Sequence, residues 1–150
     1  MSKSAKAVQS KTIAFKLLVP AAKAAPTPPV GPALGQRGVK SIDFCKQFND
    51  ATKHIVPGTP IPTRITVKPD RSFSFITKAP QTAWLLMRAA GIEKGSATSG
   101  KDMQASVSVK HIYEIAKIKS NDPGFKGLEL EKVAKCIAAQ TRSLGIKVVL

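Results

Sequence analysis

The segment Pro26-Thr27-Pro28-Pro29-Val30-Gly31-Pro32-Ala33-Leu34-Gly35-Gln36-Arg37-Gly38 constrains this chain more than any other, because it sets four prolines and three glycines between stretches of ordinary folding sequence. Each proline fixes φ and removes a backbone donor, and each glycine lets backbone approach another surface closely. The segment therefore reads as neither a core helix nor a central strand. Two readings remain from composition: a stiff, exposed recognition ridge, which loses little entropy on binding, or a proline-rich linker.

Periodicity on either side narrows the choice. Ile13, Phe15, Leu17 and Val19 alternate with Ala14, Lys16 and Leu18, which predicts a strand with one buried face that ends at Pro20. Past the ridge, Ser41 is placed to cap a helix with Asp43 in its first turn and Ile42, Phe44, Cys45 and Phe48 at helical spacing. Pro60 and Pro62 bracket an expected loop. Ile65 and Val67, then Phe73 and Phe75, alternate on either side of Pro69-Asp70-Arg71, and this predicts a hairpin that joins the first strand in a small sheet covered by a helix.

Beyond Ala79-Pro80 the period changes from two to 3.6, so a short hinge is expected at residues 79–81 and a second domain from 82 to 150. Thr82 to Ala90 forms a helix with Ala83, Leu86, Met87 and Ala90 on one face, and Gly91 ends it in a left-handed cap. Trp84 is assigned to core. A Gly/Ser-rich loop from Glu93 to Gln104 follows, then a short strand from Ser106 to Val109. Ser108 caps a helix that turns Ile112, Ile115, Ala116 and Ile118 inward, and Asn121-Asp122-Pro123-Gly124 stops it. The last helix, Leu128 to Leu144, carries Leu130, Val133, Ala134, Ile137 and Leu144 on one stripe, with Gly145 as its stop and a terminal strand after it. The expected class is α+β: a basic flexible tail over 1–12, a small domain over 13–78 with a three-stranded antiparallel sheet, and a three-helix domain with a short two-stranded element.

Charge indicates the partner. Against 9 acidic residues stand 24 Lys and Arg, a formal +15. Residues 1–80 carry 13 basic and 3 acidic side chains and residues 81–150 carry 11 and 6, so both halves are cationic. The charges stand singly between apolar positions, which suits folded surfaces that meet phosphates over a wide area. A membrane surface would call for one strongly amphipathic basic helix, and none stands out. Lys132, Lys135, Gln140 and Arg142 give the last helix a polar, basic face, and the glycine and serine loop before it allows close approach to a sugar-phosphate backbone. Taken alone such a face reads as merely solvated; together with the loop it makes one RNA-binding surface.

Chemistry has few candidates. His54 and His111 have no Cys, Asp or Glu at metal-ligand spacing, and there is no nucleophile elbow, Walker loop or dinucleotide fingerprint. Asp43, Glu114 and Glu129 read as helix surface, so no enzyme is expected and no cofactor. The two cysteines, Cys45 and Cys136, read as reduced core thiols, which fits a reducing compartment. No apolar run approaches the roughly 18 residues of a membrane span, and a soluble chain is expected.

The blocks Pro28-Pro29-Val30-Gly31-Pro32-Ala33-Leu34-Gly35-Gln36, Phe44-Cys45-Lys46, Pro60-Ile61-Pro62, Ile65-Thr66-Val67, Asp70-Arg71-Ser72-Phe73 and Ala89-Ala90-Gly91-Ile92 closely resemble, in order and spacing, the bacterial-type eleventh protein of the large ribosomal subunit. The resemblance covers nearly everything from Ile13 to Val149. It implies a non-catalytic ribosomal protein at the stalk base, whose C-terminal domain grips large-subunit ribosomal RNA at the GTPase-associated region. It also implies a hinged N-terminal domain near the stalk proteins that meets elongation factor G and other translational GTPases as they dock. By matched position, the ridge residues Pro28, Pro29, Gly31, Pro32 and Gln36 would line the cleft between RNA and factor. The family's RNA contacts would fall on Gly95, Ser96, Lys101, Asp102, Lys135, Ala139, Gln140, Thr141, Arg142, Ser143 and Gly145.

The chain departs from the pattern where RNA contact is expected. Thr98, Met103 and Ser106 stand where relatives often carry lysine, and Ala139-Gln140 stands where they carry a Gly-Thr pair; Arg142-Ser143 and Gly145 are kept. Lost lysines mean less counterion release, so the RNA partner itself is expected to differ. With the acid-free start Met1 to Lys11, this points to a mitochondrial ribosome, the alternatives being a plastid or the bacterial cytoplasm. The rival class is a free DNA- or RNA-binding regulator that uses the three-helix unit as a groove reader.

Overall fold

A computed structural model describes residues 12–150, so the basic tail expected at the start of the chain lies almost wholly outside the described residues. The chain divides into two compact units that part between Thr77 and Lys78.

The first unit runs β1 (Ile13–Pro20), α1 (Val30–Gly35), α2 (Ser41–Ala51), β2 (Pro60–Val67) and β3 (Phe73–Thr77). Its antiparallel sheet has the order β1-β2-β3, with Ile13 opposite Val67, Pro20 opposite Pro60, and Thr63 opposite Thr77. Alternation places Phe15, Leu17, Val19, Ile61, Ile65, Val67, Phe73 and Phe75 on the face covered by the helices, where they pack with the buried Phe44, Cys45 and Phe48. Phe44 is the aromatic centre: the rings of Phe48, Phe75 and Phe73 lie 5.7, 5.5 and 6.0 Å away, the first stacked and the other two edge-on. The hairpin turn is closed by hydrogen bonds from Lys68 N–H to Ser72 O and from Arg71 N–H to Lys68 O. Asp70 Oδ1 accepts from both Ser72 N–H and Ser72 Oγ, an Asx-type lock.

Four expectations are corrected in this unit. The Pro/Gly segment contains a helix, α1, whose Val30 and Leu34 sit at 2% and 0% exposure in the core. Proline is tolerated in a first helical turn, where its missing N–H has no intrahelical partner to lose, and Pro32 stands there. Pro60 and Pro62 belong to β2 rather than to a loop. Alternate residues lack donors on the same edge, and β3 stops at Thr77 opposite Thr63, so beside Pro60 to Pro62 there is no third strand to receive them. Ile42 is 58% exposed, because the helix turns its stripe through Phe44, Cys45 and Phe48 only. Lys40, not Ser41, is the N-cap of α2, and it makes no side-chain capping bond.

The second unit runs α3 (Thr82–Ala90), β4 (Ala105–Ser108), α4 (Val109–Ser120), α5 (Leu130–Leu144) and β5 (Ile146–Val149). Its strands are parallel, Ala105 opposite Ile146, and the core between the three helices holds Leu86, Val107, Ile112, Ile115, Ala116, Val133, Ile137 and Ile146. Gly91 and Gly145 both cap their helices at φ 70°. The inner stripe of α3 is Leu85, Leu86, Ala89 and Ala90, so Ala83 and Met87 lie off it and Trp84 is half-buried. Ile118 is exposed, because the inward stripe of α4 runs from Ile115 and Ala116 to the buried Lys119. Ser108 is the N-cap of α4, but its hydroxyl bonds His111 Nδ1 at 2.9 Å instead of the backbone. Cys136 is exposed, whereas Cys45 is buried and its thiol pKa is raised by desolvation. A heptad later than Glu129, Cys136 falls on the outer stripe of α5, one residue short of the buried Ile137.

Candidate RNA interface

Helix α5 sets the frame of the C-terminal surface. Its apolar stripe buries Val133, Ile137 and Thr141, with Ala134 and Ala138 packed beside them, so the opposite face turns outward. Lys132, Lys135, Cys136, Ala139, Gln140, Arg142 and Ser143 are all exposed. The charges on this face are not equivalent. Lys132 Nζ lies 3.2 Å from Glu129, and Lys135 Nζ lies 2.6 Å from Glu131, one turn back in each case. The hydrogen bond between them lowers the Glu131 pKa and raises that of Lys135. Arg142 has no carboxylate partner among the described residues, and its cation stands in the last turn, where the helix carbonyls favour it.

The loop from Glu93 to Gln104 is sewn to this helix end. Ser96 N–H donates to Leu144 O at 3.0 Å and Gln104 N–H donates to Gly145 O at 2.9 Å, so both flanks of the loop rest on the α5 cap. Between them, Lys101 and Asp102 N–H groups turn back onto Thr98 O, Thr98 N–H donates to Ser96 Oγ, and the Thr98 hydroxyl donates to Asp102 Oδ2. Backbone approaches backbone closely here. A Cβ on Gly145 would stand 2.5 Å from Ser96 Cβ and 2.8 Å from Asp102 O, and one on Gly95 would stand 3.3 Å from Leu144 O. These two glycines therefore have a reason internal to the protein: they let loop and helix meet.

The fold thus brings Gly95, Ser96, Lys101 and Asp102 to the same place as the end of α5, although they are some forty residues distant in sequence. Ala139, Gln140, Arg142 and Ser143 present side chains there. Thr141 does not: it is buried, and its hydroxyl donates to Ala138 O at 2.8 Å. Lys135 lies two turns from the loop and already holds Glu131. Cys136, read from sequence as core, lies on the outer stripe with Lys132, Ala139 and Ser143; the spacing of four and seven residues between them is the signal that could have found it.

The ridge in the first unit is built differently. Its approach is pinned to the body: Ala21 N–H donates to Thr59 O, Ala22 N–H to Thr52 Oγ1, and Ala24 exchanges two hydrogen bonds with the Asn49 amide at 2.9 and 3.1 Å. A Cβ on Gly31 would run into the Pro26 carbonyl. Arg37 closes the far end, with Nη1 donating to Ala33 O at 2.7 Å and the guanidinium 4.1 Å above the Phe15 ring. With Val30 and Leu34 anchored below, Pro28, Pro29, Pro32 and Gln36 are left exposed and Gly31 half-covered. Asn49 and Thr52 were missed in the sequence. Their signal was a polar residue at an inward position of α2, four places after Cys45 and Phe48.

Among the described residues no group of three or more His, Cys, Asp or Glu could hold a metal ion, and no helix is long and apolar enough to cross a membrane. Comparison with known proteins matches residues 15–73 to the N-terminal domain of ribosomal protein L11 and residues 78–148 to its RNA binding domain. The chain is 51% identical over 140 residues to the large ribosomal subunit protein uL11m of Schizosaccharomyces pombe, with 93% of this chain and 97% of that protein covered. It is 47% identical over 130 residues to the protein of the same name in Caenorhabditis elegans, with 87% of this chain and 66% of that protein covered. With both domain profiles matched in order and half the residues shared with a relative along nearly its whole length, the chain belongs to the ribosomal protein L11 family.

Proposed function

We propose that this chain fastens large-subunit ribosomal RNA at the GTPase-associated region of the mitochondrial ribosome, with its C-terminal unit as the anchor and its proline ridge as the surface beside which translational GTPases dock. The family is a structural constituent of the large subunit and not an enzyme. Both relatives carry the mitochondrial suffix in their names, which supports the mitochondrial large subunit. The observation that carries the reading lies within the matched RNA binding domain. There the 93–104 loop is fixed on the α5 cap, so that Arg142, Gln140, Ser143 and Lys101 form one outward surface of polar and cationic groups.

The roles divide accordingly. Arg142 and Lys101 supply charge to phosphates, Gln140 and Ser143 supply hydrogen-bonding groups, and Ala139 sets a methyl group on the outer stripe where relatives carry glycine. Gly95, Gly145 and Thr141 act from within, by holding the loop and the helix end in register. Pro28, Pro29, Pro32 and Gln36 offer a preformed surface whose ordering cost has been met by the fold itself. Stalk proteins and elongation factor G are the partners that surface would meet.

Binding of the full-length protein to a transcript of the GTPase-associated region tests the anchor. Arg142→Ala should weaken binding about tenfold, on the order of 1.4 kcal/mol, while Pro32→Ala should leave RNA affinity within about twofold and instead reduce factor-stimulated GTP hydrolysis on reconstituted subunits. Equal loss of RNA affinity in both would contradict the division of roles.

A further inference from the structure

Two buried charges take no part in either surface. Lys119 and Asp122 are 7% and 8% exposed, and Lys119 Nζ lies 2.8 Å from Asp122 Oδ2. Both partners also hydrogen-bond two residues some forty positions upstream. Asp122 Oδ1 accepts from Ala79 N–H at 2.7 Å, and Lys119 Nζ donates to Pro80 O at 3.1 Å and to Ala79 O at 3.5 Å. One carboxylate and one ammonium thus grip both the donor and the acceptors of the segment that leaves the first unit. The other ion pairs described, such as Lys53 with Asp50 and Lys117 with Glu114, are exposed and grip no backbone group.

We propose that Lys119 and Asp122 form a latch that holds Ala79 and Pro80 against the C-terminal unit, so that the pivot between the units is confined to Thr77–Lys78. The proposal rests on the reading of the two units as separately moving bodies, and it shifts the pivot upstream of residues 79–81. Thr77 is still paired in the sheet, opposite Thr63, and Ala79 is already latched, which leaves the half-buried Lys78 between them with neither a sheet pairing nor a hydrogen bond described. Proline stiffens the latched side further, because it fixes its own φ and holds the preceding Ala79 in extended backbone. A buried ion pair is a poor device for stability, since replacing both partners with neutral groups is often without cost, so a positional role accounts for its presence better.

The test is NMR relaxation and amide exchange on the full chain. In the unaltered protein the two units should show distinct rotational correlation times, and the Ala79 amide should exchange at least tenfold more slowly than that of Lys78. In the double variant Lys119→Met/Asp122→Leu, which leaves neither a lone buried charge nor an acceptor for the Ala79 N–H, Ala79 should exchange at least tenfold faster. The correlation time of the first unit should fall, while the Ile112 and Ile137 amides stay protected. Where that core protection is lost, Asp122→Ala alone removes the acceptor of the Ala79 N–H, leaves Lys119 bonded to the Pro80 and Ala79 carbonyls, and supplies the same comparison. A folded variant with Ala79 exchange and first-unit tumbling unchanged would overturn the latch. A single shared correlation time in the unaltered chain would overturn the two-body reading, and the latch's role with it.

Discussion

Gly145 carries a left-handed φ of 70° and stands where a methyl group would meet Ser96 and the Asp102 carbonyl. Both penalties act on Gly145→Ala: the left-handed conformation alone costs about 1–2 kcal/mol, and relief of the contact must lift the 93–104 loop. Thermal unfolding should show the loss of stability, and RNA affinity should fall although Gly145 presents no side chain. Asp70 illustrates a subtler residue effect. Its pKa is lowered chiefly by the hydrogen bond from the Ser72 hydroxyl, then by that from Ser72 N–H. A carboxylate with a folded pKa below its unfolded one contributes stability above the unfolded pKa and loses it as pH falls through the folded one. Ser72→Ala should therefore raise the Asp70 titration midpoint read by NMR, and the acid side of the stability profile should move with it. Such residues were legible in part. Gly145 read as a helix stop, but the loop that closes over it could not be foreseen, because nothing local in Gly95 or Ser96 names the helix end they rest on.

At the scale of elements, legibility followed periodicity. The alternation in β1, β2 and β3 and the stripe of α5 reflect burial against one neighbour, and sequence spacing records that directly. Helix α1 was hidden because its evidence is a single pair, Val30 and Leu34, inside a composition that argues against helices. Its support comes from α2, through Asn49 and Thr52, so the ridge depends on an element that is not part of it. Asn49→Ala should leave the Ala24 N–H and carbonyl without their partner, at a cost of about 1–3 kcal/mol, and should raise amide exchange at Ala24, Ala25 and Thr27 more than in the sheet. Phe44→Ala removes the ring shared by α2 and the hairpin and should cost about 3–5 kcal/mol in denaturant unfolding. Lys119 and Asp122 were illegible for a related reason: spaced i,i+3, they look in sequence like the exposed pairs of α2 and α5.

For the whole molecule, a charge of +15 by itself predicts attraction to any polyanion. The central claim is narrower: affinity is concentrated where the loop and the α5 cap meet. The fold separates the two possibilities, since Lys53 is held by Asp50 at 2.7 Å in the first unit while Arg142 has no carboxylate partner among the described residues. The deciding measurement is the salt dependence of full-length protein binding to the GTPase-associated RNA, compared for Arg142→Ala and Lys53→Ala. Loss of one phosphate contact should make the slope of log affinity against log salt shallower by about 0.7–0.9. Arg142→Ala should show that change, with about a tenfold weaker affinity, and Lys53→Ala little change; equal effects from the two would mean that binding is spread over the whole cationic surface.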